Sequence, residues 1–192
     1  SHPLRTRVGL NGLVTPSFGV LALVGWGSSF YTSDDQDFDS VIGQAELKWY
    51  LTPTPESDPM KVSGVLTSVS VGFIRDYEDS YVGTYLEKDM GYARFNYLFG
   101  GQFLLVAQVM AGAVVFPAQT NPDYGQAGGW TDFRMDGNLF GEWRVQDWLG
   151  INAQFDYAGY FSDTDLRFDP AVPGDQIGFQ EFKIFGGVRA FL

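Results

Sequence analysis

The chain has no cysteine, one histidine, 12 Lys+Arg and no long apolar run among its 192 residues. Each shortage removes a class of function. Without cysteine there are no disulfides, no thiol nucleophile and no Cys-ligated metal. The one histidine, His2, sits at the start of the chain, which leaves little room for imidazole acid/base chemistry or a His-rich metal site. Twelve basic against 23 acidic residues give a formal charge of −11, and no basic stripe exists to hold phosphates, so no nucleic-acid partner is expected. The longest apolar stretch, residues 103–116, is interrupted by Gln108 and falls short of the about 18 residues a membrane helix needs. The chain opens Ser1-His2-Pro3 with no basic leader region, the start expected of a mature, trimmed or engineered polypeptide, and export is neither implied nor excluded by it.

What is present points to strands. Aromatics make up 17% and glycine 24 residues, against roughly 13 glycines in an average chain of this size, so disorder is excluded. From Asp132 to Arg144 the residues alternate: Asp132, Arg134, Asp136, Asn138, Glu142 and Arg144 share a face with Phe140, opposite Phe133, Met135, Leu139 and Trp143. A period of two is a strand. Asn152, Gln154 and Asp156 then oppose Ile151, Phe155 and Tyr157; Gln44, Glu46 and Lys48 oppose Val41, Leu47 and Trp49; Glu181, Lys183 and Arg189 oppose Phe182, Ile184 and Val188. The whole chain divides into nine predicted strands, at 4–14, 18–31, 41–51, 60–75, 81–99, 102–116, 130–144, 148–161 and 179–192, with no convincing helix.

Short or Pro-rich connections (15–17, 52–59, 100–101, 145–147) alternate with mostly longer, acidic ones (32–40, 76–80, 117–129, 162–178). Successive hairpins then open on opposite sides, the plan of an up-and-down antiparallel barrel forming a single domain over 1–192. In a soluble barrel the apolar face would be the core; in a membrane barrel it would meet lipid. Long strands, aromatics near strand ends (Trp26, Phe30, Tyr31, Trp49, Tyr50, Tyr97, Phe99, Trp130, Trp143, Trp148, Tyr160, Phe161) and a polar face of mixed charge favour lipid. A soluble lipocalin-like ligand-binding barrel is the alternative. Nine is odd, whereas single-chain bacterial barrels have even strand numbers. Either the chain is the C-terminal part of a larger barrel, or the long segment 81–99 breaks near Glu87-Lys88-Asp89 and gives ten, within an overall expectation of about 8–10 strands.

This plan resembles the bacterial outer-membrane β-barrel class, and the final run Phe182 to Leu192, ending Ala190-Phe191-Leu192, is similar to the C-terminal strand that such proteins present to the barrel assembly machinery. There Phe usually stands last; here it is penultimate. The segment YVGTYLEKDMGYARFNYLFGG, residues 81–101, resembles porin-like barrels associated with exopolysaccharide export. The resemblance implies an outer-membrane location, contact with membrane lipid and lipopolysaccharide, and a possible partner protein in an export complex.

The residues expected to face a lumen are Gln44, Glu46, Lys48, Arg94, Asn96, Asp132, Arg134, Asp136, Asn138, Glu142, Asn152, Gln154, Asp156, Glu181, Lys183 and Arg189. They suit a channel or export pore for a hydrophilic solute, or a salt-bridge-plugged scaffold with a structural or partner-binding role. Asp132 and Asp136 with Arg134 between them read as an ion network rather than a catalytic carboxylate pair, and no enzymatic set is expected. Asp35, Asp37 and Asp39 with Glu46 at the twelfth place match the spacing of a calcium-binding hand, but Ser40 stands where the turn glycine belongs and no helices flank it. No cofactor is expected beyond a loop-bound divalent cation held by Asp34, Asp35, Asp37 and Asp39. Glycines inside strands read as curvature devices beneath aromatic rings.

Overall fold

A computed structural model describes residues 2–30, 37–51, 67–80, 85–118, 129–166, 175–176 and 178–191. Nine long strands form one antiparallel sheet: β1 (His2–Thr15), β2 (Phe18–Phe30), β3 (Phe38–Tyr50), β4 (Thr67–Asp79), β5 (Tyr85–Phe99), β6 (Phe103–Phe116), β7 (Trp130–Gln146), β8 (Leu149–Phe161) and β11 (Phe179–Ala190). Two-residue strands β9 (Asp165–Leu166) and β10 (Asp175–Gln176) pair with each other in the last long connection. Each long strand pairs only with its neighbours in chain order, so the up-and-down plan and the count of nine stand.

Two expectations need correction. Segment 85–99 is one unbroken strand, so the split at Glu87-Lys88-Asp89 that would have made ten does not occur. Arg75 of β4 explains why: it pairs with both Glu87 and Asp89, which keeps two like charges compatible with one continuous strand. The sheet also does not close into a barrel; β1 and β11 remain its two edges.

The sheet is nonetheless staggered and curled. One row of paired residues runs Val8, Val24, Gly43, Arg75, Asp89, Ala113, Phe133 and Phe161, from the middle of β1 to the last residue of β8. Such a stagger is what tilted barrel strands require. On the other face Arg5 and Arg7 of β1 reach Asp76 of β4, at 3.2 and 2.6 Å. Three strand spacings, roughly 14 Å in a flat sheet, separate those strands. The sheet must therefore bend toward the face that carries them.

Tight connections join the strands at one end. Gly100 and Gly101 have φ of 58° and 71°, and the Gln102 amide donates to the Phe99 carbonyl at 3.1 Å. Positive φ at both positions gives the turn a twist that matches the flanking strands and is open to glycine without a Cβ clash. The turn between β7 and β8 is as short and follows an irregularity at Arg144 to Gln146.

Candidate functional site: the concave polar face

Because side chains alternate and paired residues share a face, the register assigns every strand residue to one side. All sixteen residues expected to face a lumen fall on the concave side. So do nine of the twelve Lys and Arg residues: Arg5, Arg7, Lys48, Lys88, Arg94, Arg134, Arg144, Lys183 and Arg189. Eight acids accompany them, Glu46, Asp76, Glu78, Asp132, Asp136, Glu142, Asp156 and Glu181. The face thus carries one net positive charge (9 − 8), and the rest of the chain, with 12 − 9 = 3 cations and 23 − 8 = 15 acids, carries −12.

The opposite face is apolar. Among the described residues thirty large apolar side chains are exposed, against eight buried hydrophobic ones, Phe38, Ile42, Tyr77, Met90, Tyr92, Val114, Phe116 and Tyr160. Most of the exposed set, among them Val8, Val24, Leu47, Phe73, Leu139, Trp143 and Ile184, lie on the convex face, whereas seven of the buried ones lie on the concave side by register, and Tyr77, which has the parity of Arg75 and pairs with Glu87, packs against Phe38 and Arg5 of the concave side. No second layer covers the convex face among the described residues. Its charged strand residues are Asp39, Arg75, Asp79, Glu87 and Asp89, all toward the long-connection end of β3 to β5.

Several clusters make up the concave face. At its long-connection end β3 stops pairing with β4 beyond Gly43 and Arg75, and Tyr77 occupies the space between elements. Its ring stacks on Phe38 with centroids 4.0 Å apart, its hydroxyl donates to the Ser28 carbonyl at 2.9 Å, and the Arg5 guanidinium lies 4.2 Å from the ring centre. A Cβ on Gly27 would sit 2.5 Å from that ring, so the position needs glycine. Gly72 lies beneath the Tyr92 ring in the same way. These two agree with the reading of strand glycines as seats for aromatic rings.

In the middle, Gln44 donates to the Tyr92 hydroxyl at 2.9 Å, and that hydroxyl donates to Glu46 at 2.8 Å. Arg94 donates to Gln108 at 2.9 Å and Asn96 to Ser68 at 3.2 Å, while Lys48 lies 5.2 Å from the Tyr50 ring centre. Farther round the curve, Asn138 and Gln154 both donate to Asp156, and Lys183 pairs with Glu181 at 2.9 Å. Asp136, Asn138, Asp156, Glu181 and Lys183 line a hollow of about 330 Å³. Arg134 pairs with Asp136 at 2.8 Å. Asp132, expected in that network, accepts instead from the Trp130 indole at 2.9 Å and the Tyr160 hydroxyl at 2.7 Å.

The tight-turn end holds a different arrangement. Glu142 is fully buried, with Arg189 at 3.1 Å and Arg144 at 3.6 Å, and neither contact has hydrogen-bond geometry. Arg144 also lies 4.9 Å from the Phe191 ring centre, and a Cβ on Gly150 would approach that ring at 3.2 Å. Asn152 faces Gly187 across the β8 to β11 pairing. The penultimate phenylalanine is thus held on the concave side, and Phe182, Ile184, Val188 and Ala190 occupy the convex one.

Alternation also corrects the aromatic reading. Trp26, Phe30, Trp49, Tyr97, Phe99, Trp143 and Phe161 lie on the convex face, but Tyr50, Trp130 and Tyr160 lie on the concave one. Nearness to a strand end does not decide the face; parity does. Trp148 lies in the β7 to β8 connection, and Tyr31 lies outside the described residues.

Of the acidic loop proposed to hold a cation, Asp34 and Asp35 lie outside the described residues. The Asp39 carboxylate is engaged by Ser28 at 2.7 Å and by the Trp26 indole, and Asp37 directly precedes β3. Among the described residues no group of three or more His, Asp or Glu side chains is placed to hold a metal ion.

Sequence reasoning missed Arg5, Arg7, Asp76, Glu78 and Lys88, all on the concave face. Parity was the available signal for Lys88, which stands an even number of residues from Arg94 and Asn96. Arg5 and Arg7 likewise alternate with Leu4, Thr6 and Val8. Comparison with known proteins gave no matching family model, no matching curated protein and no matching solved structure.

Proposed function

We propose that this chain forms the wall of a bacterial outer-membrane β-barrel through which a hydrophilic solute passes, with the convex face in lipid and the concave face toward water. The observation that carries the reading is the separation of exposed apolar side chains from a nearly neutral polar face across a single uncovered sheet. A water-soluble monomer rarely exposes so large a continuous apolar surface. A soluble lipocalin-like barrel would instead need that surface inside. Strands of 12 to 17 residues exceed the about 9 to 11 that a tilted membrane strand needs, which leaves their ends to project beyond the bilayer.

On this reading the long connections lie outside the cell, and lipopolysaccharide meets Arg75, Asp39 and their neighbours at the upper rim of the apolar band. Chemistry on a substrate is not part of the proposal; transport is. An export complex would supply a partner protein on the other side of the membrane.

One observation favours a second reading, a plugged scaffold. Most charges on the concave face are already paired, as in Arg134 with Asp136, Lys183 with Glu181 and Arg7 with Asp76. A small barrel filled this way has no path. Conductance separates the two: the native protein in planar bilayers is expected to give discrete current steps. Silence from correctly inserted protein would leave the scaffold.

A further inference from the structure

The two edges of the sheet have the same direction. Every neighbouring pair is antiparallel and the sheet holds nine strands, so β1 and β11 both run from the long-connection end to the tight-turn end. They cannot complete the antiparallel ladder with each other. Both edges are also bare: every residue of β1 is exposed, as is every residue of β11 except Gly187. In lipid such edges would leave rows of backbone amides and carbonyls unpaired, which membrane strands do not tolerate.

We infer that the opening between β1 and β11 is filled by an odd number of additional antiparallel strands carried by the same polypeptide, giving an even-stranded, wholly antiparallel barrel. This rests on the membrane-wall reading above. Direction, together with the even strand number of single-chain bacterial barrels, weighs against the rival closures. If β1 met β11 of its own chain, the seam would be parallel and the barrel odd-stranded. A second copy inserted in the same orientation could offer only β11 to β1, again parallel. A copy inserted upside down would pair edges antiparallel but would place its long acidic connections on the wrong side of the membrane. An odd insert has none of these defects, and covalent continuity spares it the cost of association. The curl already present, which brings Arg7 of β1 to 2.6 Å from Asp76 of β4, shows which way the insert must bend.

The absence of cysteine in these 192 residues leaves no native thiol within the nine strands to compete, and any cysteine of the added strands is replaced by serine first. Asn11→Cys would be combined in turn with Lys183→Cys, Phe185→Cys and Gly187→Cys in the protein in its native membrane, and oxidised with a copper catalyst. Asn11→Cys with Leu21→Cys, paired in the sheet, is the positive control. A disulfide needs Cα atoms within about 7 Å, which neighbouring strands satisfy and strands separated by one insert, roughly 9.6 Å apart, do not. The expected result is a bridge in the control, none within or between chains for the three edge pairs, and an intact native polypeptide longer than 192 residues by at least one strand of about 10 residues. An intramolecular edge bridge would overturn the inference in favour of direct closure, and an intermolecular one in favour of a second copy. A native polypeptide of only 192 residues would overturn it whatever the bridges show. Release from membranes without detergent would instead defeat the membrane reading, so the two failures are told apart.

Discussion

Leu139→Arg is expected to lower the stability of the folded protein in lipid vesicles by about 2–4 kcal/mol, the cost of an arginine near the bilayer midplane of a β-barrel. Leu139 lies mid-strand in β7, on the convex face, paired with Ala107 and Phe155 and about half exposed. Asn138→Arg, one residue away on the concave face, should cost less than about 1 kcal/mol, because there the guanidinium finds water and the Asp156 carboxylate. A third variant separates lipid from a protein core. Leu139→Trp should be nearly neutral in lipid, whereas in a packed soluble core the added volume would cost about 1–3 kcal/mol. Urea unfolding from vesicles, followed by tryptophan fluorescence, measures all three.

Arg189→Met is expected to cost about 1–2 kcal/mol, below the buried-pair range because the Arg189 side chain is half exposed and Arg144 remains beside Glu142. Its partner Glu142 has no exposure and no hydrogen bond, so its charge depends on Arg189 at 3.1 Å and Arg144 at 3.6 Å. Removing Arg189 leaves the buried Glu142 charge with Arg144 alone at 3.6 Å, and an under-compensated buried charge is more costly than never having built the pair. The loss should appear as early unfolding of β11, since Arg189 is the last concave-face side chain of that strand to cross to β7. Adding Glu142→Gln should restore most of the stability, and a double-mutant cycle would give the coupling. If Arg189→Met alone is neutral, Arg144 carries the pair unaided.

How much of this was legible in the sequence depends on what parity encodes. Strict alternation around Asp132 to Arg144 gave both the strand and its polar face, and every residue picked from such runs falls on the concave side. Parity was less visible where β1 mixes glycine with Arg5 and Arg7, and where β5 carries charge on both faces. At Glu87 and Asp89 the sequence reads as a break, because the cation that stabilises them, Arg75, lies on another strand. Tyr77 was out of reach for a similar reason: it enters the concave face only because β3 and β4 part beyond Gly43. Closure is a property of edges rather than of alternation, so no periodicity within the nine strands could report that the sheet stays open.

The central claim is that one face meets lipid and the other water, and spin-label accessibility along β7 tests it most directly. Single cysteines at positions 136 to 143, introduced into the cysteine-free chain, would carry a nitroxide in membrane-embedded protein. The expected pattern is a period of two: labels at 137, 139, 141 and 143 relax with lipid-soluble oxygen, and those at 136, 138 and 140 with a water-soluble nickel chelate, while 142, the place of the buried Glu142, is shielded from both. Odd-numbered labels shielded from both reagents would contradict it, since that is the signature of a packed protein core rather than a lipid-facing wall.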